Sequence, residues 1–209
     1  MQTYLVGGAV RDELLARLGE LAAFGIDEAQ ARGYRNLLEK GEREHGLAPD
    51  KRRKMYLYLK WADEIVHHPR VLDAVEDLIG PDILLWGAGF FAKEPNDGKI
   101  ISWHQDSTYW GLSEPDIVTA WIAFTPSTPL SGNMRVIAGT HTVDQVPHRD
   151  TFAANNLLSR GQEIAVEVDE NQAVDITLQP GQMSLHHVRL FHGSGVNQAP
   201  HRRVGLALR

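Results

Sequence analysis

Three groups of polar residues have the types and spacing that metal chemistry requires. In Trp103-His104-Gln105-Asp106 a histidine and an aspartate stand two apart at the end of the apolar run Ile100 to His104. Strand side chains alternate between faces, so His104 and Asp106 project to one side and can grip one ion, while Gln105 faces away. A second imidazole, His192, follows 88 residues later in Phe191-His192-Gly193-Ser194-Gly195-Val196-Asn197. Two imidazoles and one carboxylate form the ligand face that leaves adjacent positions open on non-haem Fe(II), as oxygen chemistry demands. Spacing alone leaves the distal imidazole open, because His186 and His187 lie on the same expected strand and His186 shares the parity of His192. Each group also has a plain structural use, as an acid and a histidine ending a strand or a histidine before a glycine turn.

Arg203, eleven positions after His192, begins the apolar run to Leu208. A guanidinium entering a β core is costly alone, whereas a carboxylate offers charge-assisted hydrogen bonds worth about 1.5–3 kcal/mol each. A dicarboxylate cosubstrate is one such partner, and a surface arginine at a strand start is the simpler alternative. Arg202 points to the opposite face.

The elements that must position these residues divide the chain in two. Residues 1–82 read as helical. Leu14, Leu15, Leu18, Leu21 and Ala22 recur at three- and four-residue spacing, Gly25 divides two helices, and Asp27 to Glu44 is rich in helix formers. Beyond the polar stretch Pro49 to Lys54, a helix starting near Pro69 carries Leu72, Val75, Leu78 and Ile79 and stops at Gly80-Pro81. Residues 83–209 read as short strands broken by turns: Ile83 to Phe91, Ile100 to His104, Val118 to Phe124, Met134 to Ile137, Glu163 to Val168, Ala173 to Leu178, Met183 to His192 and Arg203 to Leu208. The pattern suggests a sandwich or barrel, with Thr142 to Gly161 as a long functional loop. All 209 residues are expected to form one domain. The final apolar run looks like a strand cut off before its turn, so a C-terminal segment is expected to be missing.

Composition narrows the function classes. With 21 basic and 27 acidic residues the formal net charge is −6, so no global positive field gathers nucleic acid or anionic lipid. The absence of cysteine removes disulfides, thiolate metal sites and thiol nucleophiles, leaving ten histidines and the carboxylates as metal ligands. No apolar stretch is long enough to span a bilayer and no leader pattern opens the chain, so a cytoplasmic location is expected. The run Lys51-Arg52-Arg53-Lys54 reads as solvated charge.

Taken together, His104-x-Asp106, His192 in His-Gly-Ser-Gly-x-Asn and Arg203 resemble the phytanoyl-CoA dioxygenase family of Fe(II)/2-oxoglutarate-dependent oxygenases. The resemblance includes Phe91-Ala92-Lys93, Thr119-Ala120-Trp121 and the segment from Gly132 to His141, and it is strongest from Ile83 to Arg209. It implies a mainly β protein with N-terminal helices, built as a double-stranded β-helix, the cupin-like jelly roll. It implies Fe(II) held by His104, Asp106 and His192, favouring His192 over His186, with O2 and 2-oxoglutarate as cosubstrates. Arg203 matches the arginine that salt-bridges the far carboxylate of 2-oxoglutarate, assisted by Ser194, and Trp121 lines the same pocket. Asp106 stands where halogenating relatives have a small residue, so hydroxylation of a small molecule, with release of succinate and CO2, is the implied outcome. Tyr109, Trp110 and Arg149, with His148 beside it, are candidates for substrate contact. Two alternatives are a silent jelly roll that binds a metal or small molecule and a cupin-type oxygenase that needs no 2-oxoglutarate.

Overall fold

The computed structural model describes residues 5–6, 25–112 and 116–209, so the helix expected before Gly25 lies outside the described residues. The first described helix, α1 (Glu28–His45), begins where Asp27 accepts a hydrogen bond from the Gln30 backbone while the Gln30 side chain accepts from the Asp27 backbone. That reciprocal arrangement satisfies two donors that a helix start leaves open. Gly46, in the left-handed conformation at φ 59°, ends it. Helix α2 (Lys60–Val66) leads into α3 (Pro69–Ile79), which has Pro69 in its first turn and Gly80 after its last.

Eleven strands are described: β1 (Leu5–Val6), β2 (Ala88–Lys93), β3 (Ile101–His104), β4 (Val118–Ala123), β5 (Met134–Ile137), β6 (His148–Asp150), β7 (Gln162–Ile164), β8 (Ala173–Ile176), β9 (Met183–His187), β10 (His192–Ser194) and β11 (Arg203–Leu208). A single helical turn, α4 (Ser107–Trp110), follows β3. One sheet has the order β1-β9-β4-β11-β2, a second β3-β10-β5-β8, and β6 pairs with β7. Every pairing is antiparallel except β1 with β9.

All six residues of β11 are buried. Val204, Leu206 and Leu208 join Ile122, Phe124 and the helical Leu38, Ile65 and Val71 in a core between the large sheet and the helices. Ala207 on the other face joins Trp121, Met134, Val136 and Ile176 in a core between the two sheets. A strand covered on both sides reads as an unbroken apolar run, which is how β11 appears in the sequence. Gly205 is required within it, because a Cβ there would lie 2.0 Å from the Trp121 ring.

Several expected boundaries are corrected. Met183 to His192 is two strands: β9 belongs to the large sheet and β10 to the small one, and the chain crosses between them over residues 188–191. Val188 and Leu190 are fully buried at the crossing, with Arg189 between them, and neither glycine nor proline marks it. The strand expected from Ile83 begins only at Ala88, and the one expected over Glu163 to Val168 is the shorter β7. The stretch Thr142 to Gly161 is not wholly loop, since it holds β6. The basic run is not simply solvated: Arg52 pairs with Glu42 at 2.9 Å, and Arg53 bridges the backbone of Gly89. Among the described residues, no helix is long and apolar enough to cross a membrane.

Candidate metal centre and anion pocket

His104 closes β3 and His192 opens β10, and the two are direct partners in the antiparallel register. Their rings therefore meet, with centroids 4.1 Å apart. Nδ1 of His104 lies 2.9 Å from the Ser102 carbonyl, and Nδ1 of His192 lies 2.9 Å from that of Leu190. A carbonyl only accepts, so each Nδ1 carries the proton and each Nε2 presents a lone pair. That is the tautomer a metal-binding histidine needs. Asp106, in the turn after β3, brings Oδ1 to 3.4 Å from Nε2 of His104, while its Oδ2 accepts from the Thr119 hydroxyl at 3.3 Å. One ligand atom from each of His104, Asp106 and His192 lies within 4.8 Å of the others, and all three residues are buried. They are the one such group of three among the described residues.

Electrostatics favour the deprotonated donors that a cation requires. Burial pushes the Asp106 carboxyl up, but its close contact with His104 and the positive surroundings, Arg209 among them, outweigh burial and hold the group well below the usual carboxylate range. Burial, with His104 beside it, holds the His192 imidazole well below its ordinary value. His186 is on β9, with its ring 4.9 Å from that of His192, and burial lowers it to about 4. It lines the cleft without joining the three-residue group.

Arg203 enters the same cleft from the start of β11. It is 3% exposed, its guanidinium lies 4.7 Å from the Trp121 ring centroid, and its Nε donates to the Ser127 hydroxyl at 3.3 Å. Its register partner on β2 is Lys93, also buried, whose Nζ donates to the Ser194 hydroxyl at 2.6 Å and to the Gly195 carbonyl. Burial lowers the guanidinium to about 10. Burial and then the adjacent Arg203 lower the amine to about 7. Among the described residues neither cation lies within ion-pair distance of a carboxylate. Buried charge of one sign with neutral partners alone is costly, and an anion removes that cost. The cleft shared by the three ligands and Arg203 takes in about 460 Å³ including its open mouth, walled by Phe91, Ile101, Met134 and Leu158.

The remaining sequence candidates fall in different places. Ser194 contacts Lys93 and not the Arg203 guanidinium. Tyr109 packs edge-on to His104 at 6.2 Å, burial raises its phenol, and Arg209 lies 5.4 Å over Trp110; both aromatic residues line a groove leading away from Asp106. Arg149 is not brought to the cleft, since Glu163 holds its guanidinium across the exposed β6–β7 pair. His148 serves the backbone: its Nε2 accepts from Gln105 N at 3.0 Å. The Gln105 side chain, facing away from the ligands, donates to the Arg189 carbonyl and accepts from Val146 N. Sequence reasoning gave no role to Lys93, Thr119 or Arg209. A lone lysine ending the apolar strand β2 was the available signal for Lys93, but its register with Arg203 was not.

The phytanoyl-CoA dioxygenase (PhyH) family model matches residues 9–205. Among curated proteins, the chain is 28% identical over 151 residues to a probable alpha-ketoglutarate-dependent hypophosphite dioxygenase of Stutzerimonas stutzeri, covering 71% of this chain and 52% of that protein. It is 31% identical over 138 residues to the peroxisomal phytanoyl-CoA dioxygenase of Homo sapiens, covering 62% of this chain and 40% of that one. The chain thus spans about half the length, or less, of these relatives. Among solved structures, the apo form of the non-heme monooxygenase ThoJ superposes with a TM-score of 0.75 at 35% identity, covering 89% of this chain and 70% of that chain.

Proposed function

Because this chain belongs to the phytanoyl-CoA dioxygenase family, we propose that it is an Fe(II)- and 2-oxoglutarate-dependent dioxygenase that hydroxylates a small molecule. The observation that carries the proposal is the pairing, in one cleft, of a buried two-histidine, one-carboxylate group with a buried arginine that has no acidic partner. His104, Asp106 and His192 are the ligands for Fe(II), and Arg203 receives the far carboxylate of 2-oxoglutarate. Lys93 adds a second positive charge, Ser194 and Ser127 orient the two cations, and Trp121 backs the guanidinium. Iron with 2-oxoglutarate and O2 supplies the oxidising power: one oxygen atom leaves in succinate with loss of CO2, and the other enters a substrate C–H bond as hydroxyl.

The protein contributes geometry and exclusion of water. The backbone carbonyls of Ser102 and Leu190 fix the histidine tautomers, and Thr119 and Arg209 flank Oδ2 of Asp106. The apolar walls keep the cleft dry, which strengthens each electrostatic contact inside it. We read residues 83–209 as the catalytic core and residues 1–82 as its helical cover, within one domain. The substrate is a small molecule and the location cytoplasmic in this reading. A relative, the ectoine dioxygenase of Nocardia farcinica, is named for a small-molecule substrate.

The test is anaerobic titration of the metal-free protein with Fe(II) and then 2-oxoglutarate, following the visible charge-transfer band of the chelate. The parent gives the band, His192→Ala loses it together with metal affinity, and Arg203→Ala keeps metal affinity but needs far more 2-oxoglutarate. Oxygen-dependent succinate formation then distinguishes an oxygenase from a silent binder. A folded, metal-loaded parent with no band would refute the reading.

A further inference from the structure

A second groove opens from the metal centre and ends at positive charge. It takes in about 1530 Å³ including its open mouth, with Asp106, Tyr109 and Arg209 at its inner end and Arg53 and Lys54 at its outer end. Trp86, Phe91, Trp110, Leu157 and Leu158 make its sides apolar. The floor follows from the register. Arg53 bridges Gly89, Gly89 pairs with Ala207, and Ala207 pairs with Trp121. Directly paired residues place their side chains on one face of a sheet, so Arg53 stands on the face that carries Arg203 and the cleft. Gly89 lines the groove with no side chain to fill it, and Ala207 beyond it lines the cleft. At about 4.8 Å per strand, Arg53 is about 10 Å from Ala207.

The outer cations are available to a ligand in a way that their neighbour is not. Arg52 is held by Glu42 at 2.9 Å. Arg53 and Lys54 are exposed, and among the described residues no carboxylate lies within ion-pair distance of either. Lys54 Nζ lies 5.6 Å from the Trp86 ring centroid, which leaves its hydrogen-bond donors free. Two unpaired cations at the mouth of an apolar trough match one ligand chemistry.

We infer that this groove is the substrate channel and that it takes an extended apolar molecule ending in a carboxylate or phosphate. Arg53 and Lys54 meet the anionic head, and the apolar body lies over Gly89 towards Asp106. The inference rests on the oxygenase reading for the word substrate; the groove's preference for such a ligand does not.

The test is equilibrium binding of octanoate, octyl phosphate and octanol to the full chain, read by calorimetry and by the fluorescence of Trp86 and Trp110. Either anion is expected to bind about tenfold or more tightly than octanol, and the tighter of the two identifies the head group. The double variant Arg53→Ala with Lys54→Ala should erase that preference, and raised salt should shrink it. Gly89→Ala should weaken all three ligands about threefold; a Cβ there meets nothing nearer than the Arg53 stem at 3.7 Å, so the fold accepts it. Octanol binding as well as the anions, or anion affinity unchanged in the double variant, would overturn the inference. The iron and 2-oxoglutarate band, measured on the same proteins, should be unaffected by these changes. An absent band with the anion preference intact would remove the oxygenase reading and leave the groove, and the converse would do the opposite.

Discussion

Replacing Arg203 with methionine separates ligand binding from stability. The guanidinium is lowered from 12.5 to about 10 by burial, and at about 1.4 kcal/mol per tenfold change in proton affinity this is a cost of about 3 kcal/mol to the folded state at neutral pH. The sign is that of a base depressed by folding: the cost is fully present below about 10 and is relieved only as the pH rises through that value. Against it stand the stacking on Trp121, worth up to about 2 kcal/mol, and the long hydrogen bond to Ser127, worth about 1 kcal/mol. The two sides cancel, so Arg203→Met should unfold in urea within about 1 kcal/mol of the parent. Its affinity for 2-oxoglutarate should collapse, because two charge-assisted hydrogen bonds of about 1.5–3 kcal/mol each correspond to a loss of about 10²- to 10⁴-fold. Calorimetric titration of 2-oxoglutarate into the Mn(II)-loaded protein measures the second quantity. A variant destabilised by about 3 kcal/mol or more, with affinity within about threefold of the parent, would show Arg203 to be a structural residue and would refute the reasoning.

Other perturbations probe the supports of the site. Gly205→Ala drives a methyl to 2.0 Å from the Trp121 ring; overpacking of this kind costs about 1–3 kcal/mol, visible in thermal unfolding, and the displaced ring should weaken 2-oxoglutarate binding. Glu42→Gln leaves Arg52 and Arg202 facing one another without the carboxylate that holds both, and a loss of about 1–3 kcal/mol should appear as a melting point lower by several degrees. Lys93 titrates at about 7 when folded and near 10.5 when not, so between those values the unfolded chain holds the extra proton and stability rises with pH. Lys93→Met should flatten that rise, compared through urea midpoints at about pH 7 and pH 9.5.

What could be read from the sequence follows from where local rules apply. The run to Leu208 marked β11 to the residue. His104 and Asp106 do share the cleft, as the period of two in a strand predicts, but β3 ends at His104 and it is the turn beginning the next helix that brings Asp106 there. Pro69 and Gly80 bounded α3 by their backbone chemistry alone. The break between β9 and β10 could not be read, since the chain keeps buried apolar residues at Val188, Leu190 and Phe191 on its way from one sheet to the other and carries no glycine or proline there. Nor could the partners of charges: Arg52 and Arg53 are adjacent and alike in sequence, yet one finds Glu42 and the other lies at the edge of β2. Lys93 and Ser194 meet only through pairings between distant strands, and Arg149 lost its expected role to Glu163, which faces it across β6 and β7.

The place of β11 bears on how the protein is made. It is the last strand described, yet it lies inside the large sheet, between β2 and β4. As the chain leaves the ribosome, β4 and β9 can join, but β2 has no neighbour in that sheet until residues 203–208 emerge. The edges of β2 and β4 that β11 joins therefore stay unpaired from the emergence of β4 until residues 203–208 follow. Arg203, the first residue of that closing strand, enters the cleft at the moment the sheet becomes continuous.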